Sequence, residues 1–255
     1  MKDWKKLALD TPGETAESRQ FKSLMLAELA AEKAKLAALQ GHIDRETMGV
    51  APQILDNVER AFGLVLAAAT FEDPGARDDV LRAAVVFGHA LLEDSLRTLA
   101  ANLLPRQNES TLNDVPLAGL NNNGRPEKFL LGKLVSYKGK LVDDVIRESA
   151  WEYLERSTFN NTGDIGRLLE TLGFHVSDHN KVFPMLDQMM QRRHLIVHRA
   201  DKIKRLDSNS YELQPIDGRE VLKWIGSTGH FLSSLVPPLI KMLSTIADAS
   251  PKSNA

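Results

Sequence analysis

The sequence contains no cysteine, so disulfides, iron–sulfur clusters, thiol nucleophiles and cysteine-bound zinc are all excluded. Any catalysis must come from His, Ser, Lys, Arg or carboxylates. An excess of one charge sign is also missing: 32 Lys and Arg stand against 34 Asp and Glu, a formal net charge of −2, which rules out a polybasic coat. Long apolar runs are absent. The longest, Ala61 to Phe71, is about half of the ~20 residues that a spanning helix needs. The apolar stretch after Met1-Lys2-Asp3-Trp4-Lys5-Lys6 ends at Asp10, too soon for a secretory h-region, so a mature cytoplasmic chain with no membrane partner is expected. Aromatics are scarce at 6%, yet 43% of the residues are hydrophobic and 26% charged, which suits a folded chain with a Leu- and Ala-rich core.

What is present is helical periodicity. From Ala16 to Leu39, leucines recur at near-helical spacing between Glu and Lys, predicting a long exposed amphipathic helix. Ile54, Val58, Ala61, Phe62 and Val65 line one stripe of a more apolar helix over 53–69. After the turn Phe71-Glu72-Asp73-Pro74-Gly75, Asp78 or Asp79 should cap a helix that reaches Leu104. Pro105 stops it. The stretch 106–126, with Asn121-Asn122-Asn123-Gly124, reads as a long loop. Helical patterns resume over 128–137, 141–159 and 163–172, and Gly173 ends the last of these. Ser177 or Asp178 should cap a helix from His179 to about Ala200. Residues 202–206 and 211–215 flank Asp207-Ser208-Asn209-Ser210 as a small hairpin, and a final helix runs over 219–247 through Pro237-Pro238. No internal repeat is visible. The expectation is an all-α helical bundle with one β-hairpin, divided into a helical extension (1–50), a bundle domain (51–249) and a frayed tail (250–255).

Chemistry is concentrated in Gln191-Arg192-Arg193-His194-Leu195-Ile196-Val197-His198-Arg199-Ala200-Asp201, late in the 179–200 helix, which holds two of the seven histidines and three arginines. His194 and His198, at i and i+4, share a face. Metallohydrolases use that spacing for zinc, but their motif places Glu directly after the first His, whereas Leu195 stands here. Arg193 and Arg199 also repel a cation, and no third ligand stands out, so no metal or other cofactor is expected. Phosphodiester chemistry fits better. Histidine exchanges protons near neutral pH, and an arginine fork matches phosphate oxygens. A bland alternative is a helix end whose cations complement the dipole, which accounts for Arg199 and Lys202 but less well for Arg193 and His194 a turn earlier. His89, among apolar neighbours, reads as a core or interface histidine, and Met185, Met189 and Met190 as core filler.

The string Arg193-His194-Leu195-Ile196-Val197-His198-Arg199-Ala200-Asp201 resembles the signature of HEPN domains: an Arg, a polar residue, then a His after four to six intervening positions, often continuing as Ile-Val-His-Arg. The resemblance implies a helical bundle in which two protomers pair their motifs into one composite RNase site. By that resemblance Arg193 and His198 form the catalytic pair and His194 takes the polar position. It further implies a metal-independent endoribonuclease leaving 2′,3′-cyclic phosphate and 5′-hydroxyl ends, acting as a toxin or antiviral-defence effector with RNA as substrate, a homodimer partner, and an antitoxin or sensor protein as regulator. Arg192, Arg199 and Lys202 would extend the site as RNA-binding cations. Because the family also contains non-catalytic members, the alternative is a HEPN-like module that binds RNA, a nucleotide or a protein.

Overall fold

The computed structural model describes scattered positions between 16 and 34, then residues 50–117, 135, 137–204 and 210–249, excluding the side chains of 50, 51, 55 and 244–249. Its elements are α1 (Val50–Ala68), α2 (Pro74–Leu103), a 3-10 turn (Leu104–Arg106), the single turn α3 (Glu109–Leu112), α4 (Val142–Glu155), α5 (Thr162–Thr171), α6 (Phe183–Arg199), β1 (Lys202–Lys204), β2 (Tyr211–Leu213) and α7 (Gly218–Ala249). The described chain is thus helical apart from one antiparallel hairpin. Among its described residues no helix is long and apolar enough to cross a membrane. Apart from residues 135 and 137, the helix expected over 128–137 lies outside the described residues, as do 118–126 of the expected loop, most of the extension before residue 50 and the tail after 249.

Two compact units make up the chain, residues 1–95 with 177–255, and residues 96–176. In the first, the stripe Ile54, Val58, Ala61, Phe62 and Val65 of α1 is buried, as its spacing predicts. It packs on α7, where Gly229 leaves room for Val58. Leu81, Ala84, Val85, Leu91 and Leu92 of α2 are also buried, as is His89. Asp94 ties α2 to α1 by accepting hydrogen bonds from Gln53 (2.9 Å) and Asn57 (3.1 Å). Leu186, Met189 and Met190 complete this core from the first half of α6. The second unit buries Leu99, Leu103, Leu154, Ile165, Leu169 and Leu172, and Arg97 donates to the Ser157 carbonyl at 2.9 Å.

Two helix starts differ from the sequence expectation, both because of a proline. α2 begins at Pro74, not near Asp78: the Asp73 carboxylate accepts from the Ala76 amide at 2.8 Å, and Pro74 occupies the first turn, where a missing N–H costs nothing. α6 begins at Phe183, with Pro184 in its first turn and two 3-10 turns before it, not at His179. His179 is instead buried against α7. Its Nδ1 lies 2.8 Å from Ser234 Oγ, whose own proton goes to the Phe231 carbonyl at 2.6 Å, so Nδ1 is the donor.

Two tests follow from this packing. A β-carbon at Gly88 would lie 3.3 Å from Ile225 Cγ1 and 3.4 Å from Met189 Sδ. Gly88→Leu is therefore expected to destabilise the fold by about 1–3 kcal/mol by overpacking, read from urea unfolding. Burial lowers the His179 pKa, with Asp178 opposing the shift. The unfolded chain then binds the proton more readily, so His179 stabilises the fold fully above its ordinary value of about 6.5 and loses that contribution as pH falls from there through its lower folded-state value. His179→Gln should flatten this part of the stability–pH curve, and an unchanged curve would exclude the mechanism.

Candidate functional site

The candidate site lies wholly in the first unit, on the second half of α6 and the hairpin that follows. Up to Met190 one face of the helix, Leu186, Met189 and Met190, is core. From Gln191 onward it comes to the surface: His194, His198 and Arg199 are exposed, Arg193, Leu195 and Ile196 are half-buried, and Val197 is 48% exposed. Leu195, Ile196 and Val197 are therefore only partly buried. His194 and His198 lie side by side, ring centroids 4.6 Å apart and planes inclined by 46°. Among the described residues neither imidazole has a hydrogen-bond partner, and no group of three His, Asp or Glu side chains could hold a metal ion.

The two consecutive arginines have different environments because successive helical residues point about 100° apart. The Arg192 guanidinium donates to Asp201 Oδ2 (2.8 Å), Gln214 Oε1 (3.1 Å) and the Pro215 carbonyl (2.8 Å). Expected among the phosphate-binding cations, it is occupied by the protein itself. Arg193 makes no hydrogen bond or ion pair among the described residues, although its Nε is shut off from solvent. A half-buried guanidinium without a carboxylate is costly to keep unless an anion comes to it. Arg199 and Lys202 are exposed.

The node that fixes this geometry is Asp201, which is 0% exposed. Besides Arg192, its Oδ2 accepts from Arg82 Nε of α2 at 2.8 Å, and Arg82 Nη2 reaches the Gln214 carbonyl at 2.7 Å. The Asp201 backbone closes the arrangement. Its N–H donates to the Leu195 carbonyl (3.0 Å), capping α6, and its C=O accepts from the Gln214 N–H (2.9 Å), holding the base of the hairpin. Ala200 (φ 48°) and Asp201 (φ 59°) are both left-handed, a conformation that costs a side-chain-bearing residue roughly 1–2 kcal/mol and needs surrounding contacts to hold it.

Sequence reasoning did not identify Arg82, Gln214 or the role of Asp201. The only sequence signal for them was the Asp two residues beyond the last motif arginine, a residue type that tolerates left-handed backbone. Of the other histidines, His175 belongs to the second unit and His179 is held by Ser234. No family model matches the chain, and no curated protein or solved structure matches it either.

Removing the Asp201 carboxylate would leave two enclosed guanidinium groups facing each other. Asp201→Ala is expected to cost about 3–5 kcal/mol in chemical unfolding. A loss below about 1 kcal/mol would place Asp201 among ordinary surface pairs.

Proposed function

We propose that this chain is a HEPN-like, metal-independent endoribonuclease that acts as a homodimer, with Arg193 and His198 as the catalytic pair. The observation that carries this reading is the half-buried guanidinium of Arg193, without a partner among the described residues, on the same helix as an exposed imidazole pair. In the reaction, His198 takes the proton from an RNA 2′-hydroxyl while that oxygen attacks the adjacent phosphorus. Arg193 stabilises the negative charge that develops on the phosphoryl oxygens. The departing 5′-oxygen takes a proton from a second imidazole, His194 or His198 of the partner subunit. Bonds and protons balance: one P–O bond forms, one breaks, and the products are a 2′,3′-cyclic phosphate and a 5′-hydroxyl. The half-exposed Leu195, Ile196 and Val197 offer apolar surface beside the motif for the second protomer. In a cell such an enzyme would serve as a toxin or antiviral-defence effector, held in check by an antitoxin or sensor protein.

One observation favours the second reading, a non-catalytic module that binds RNA, a nucleotide or a protein at the same surface. Neither imidazole is oriented by a hydrogen bond among the described residues, whereas acid–base histidines are usually held by one. The two readings part in one experiment, cleavage of a labelled RNA pool in EDTA with identification of the product ends. His198→Ala should abolish cleavage, and Arg193→Ala should slow it by about 10²–10³-fold. Cleavage retained in His198→Ala would remove the proposed mechanism. Binding without turnover by the wild type would establish the second reading.

A further inference from the structure

The hairpin beyond the motif has a composition that the acid–base site does not use. Its register pairs Lys202 with Leu213, Ile203 with Glu212 and Lys204 with Tyr211. Cross-strand partners share a face, so Lys202, Lys204, Tyr211 and Leu213 stand on one side and Ile203 and Glu212 on the other. All six residues are exposed, Tyr211 at 68%. Among the described residues Lys202, Lys204 and Tyr211 have no hydrogen-bond or ion-pair partner. A lone two-stranded hairpin is marginal in water, yet this one is fixed at its base. Asp201, directly before Lys202, pairs through its backbone with Gln214, directly after Leu213, and Arg82 and Arg192 both donate to the Gln214 carbonyl. A phenol ring and two ammonium groups are thus presented on a rigid stem immediately after the motif helix.

We infer that this hairpin face is a subsite for single-stranded RNA, with Tyr211 as a platform on which one base stacks and Lys202 and Lys204 as phosphate contacts. The inference rests on RNA being the ligand of the neighbouring motif. Charge complementarity selects the occupant: lysine is depleted at protein–protein interfaces, whereas cations flanking an aromatic ring are what a nucleic-acid strand requires. Tyr211 and Lys204 are direct cross-strand neighbours, with β-carbons about 4.5–5.5 Å apart, so one nucleotide can reach both with its base and its phosphate. The ring selects single strands, because a duplex hides its base faces in the stack. Glu212, the acidic residue of the hairpin strands, lies on the opposite face.

The test is equilibrium binding of a fluorescein-labelled single-stranded RNA of about twelve nucleotides, within the range that such surfaces cover. His198→Ala serves as the parent so that the probe survives under the cleavage reading. Adding Tyr211→Ala should weaken binding by about 5- to 100-fold, while Tyr211→Phe, which keeps the ring, should retain it. Lys202→Gln with Lys204→Gln should reduce the slope of log affinity against log salt by about 1.4. Far-UV circular dichroism checks that the exposed substitutions leave the fold intact. Unchanged affinity in Tyr211→Ala, no RNA binding by the parent, or a Tyr211-dependent self-association without RNA would each overturn the inference, the last in favour of a protein contact. A wild type that binds through Tyr211 yet never cleaves would remove the nuclease reading and leave this one standing.

Discussion

The site depends on one buried carboxylate shared between two arginines. Asp201 joins residues that are 119 and 9 positions away in the chain, Arg82 of α2 and Arg192 of α6, and through Gln214 it secures the base of the hairpin. Desolvating three charges is unfavourable by itself, and short charge-assisted hydrogen bonds offset that cost only when geometry is fixed. The fixed geometry is the structural consequence. It holds Ala200 and Asp201 in left-handed conformations that would otherwise relax, and it determines where α6 stops and where the chain turns into β1.

The same node sets the electrostatics. Two guanidinium groups against one carboxylate leave a surplus positive charge, which the solvent-exposed Asp79 offsets only in part through its 3.2 Å contact with Arg82. Arg193, the next residue along the helix, adds a cation with no counter-ion among the described residues. In a chain of net charge −2, the end of α6 and the adjoining hairpin thus gather Arg193, Arg199, Lys202 and Lys204 within a short stretch of chain. The global charge of the sequence gives no hint of this. Such a field is a local property: one arginine's counter-ion is buried with it, and another arginine has none among the described residues.

Local patterns were legible and distant partnerships were not. The stripes of α1 and α2, the Gly173 stop and the hairpin all follow from residues within a few positions of one another, and periodicity and turn chemistry encode them directly. Asp73-Pro74-Gly75 reads as a turn because the same residues that make turns also make helix starts; the Ala76 N–H donating to the Asp73 carboxylate and the Arg77 N–H donating to the Asp73 carbonyl mark a helix start. Arg192 and Arg193 are indistinguishable as letters. Their separation into a structural guanidinium and one without a partner among the described residues required Asp201 and Gln214 to be brought back across the chain, and no spacing rule links Arg82 to Asp201. The motif string located the candidate site, but the physical reason for its rigidity lay outside the string.

A surface site needs rigidity that its own residues cannot provide, since His194, His198, Lys202 and Tyr211 are all exposed and each is free to change rotamer. Positioning must therefore come from the backbone beneath them. Here it comes from both sides of Asp201: its N–H caps the helix that carries the imidazoles, and its C=O holds the strand pair that carries the lysines and the tyrosine. The imidazole pair and the hairpin face consequently share one origin, with a fixed spatial relation that no flexible linker could provide. Anything lying along both would meet a basic, aromatic surface and an imidazole pair in a set order. That coupling is the strongest physical argument for reading the end of α6 and the hairpin as one functional surface.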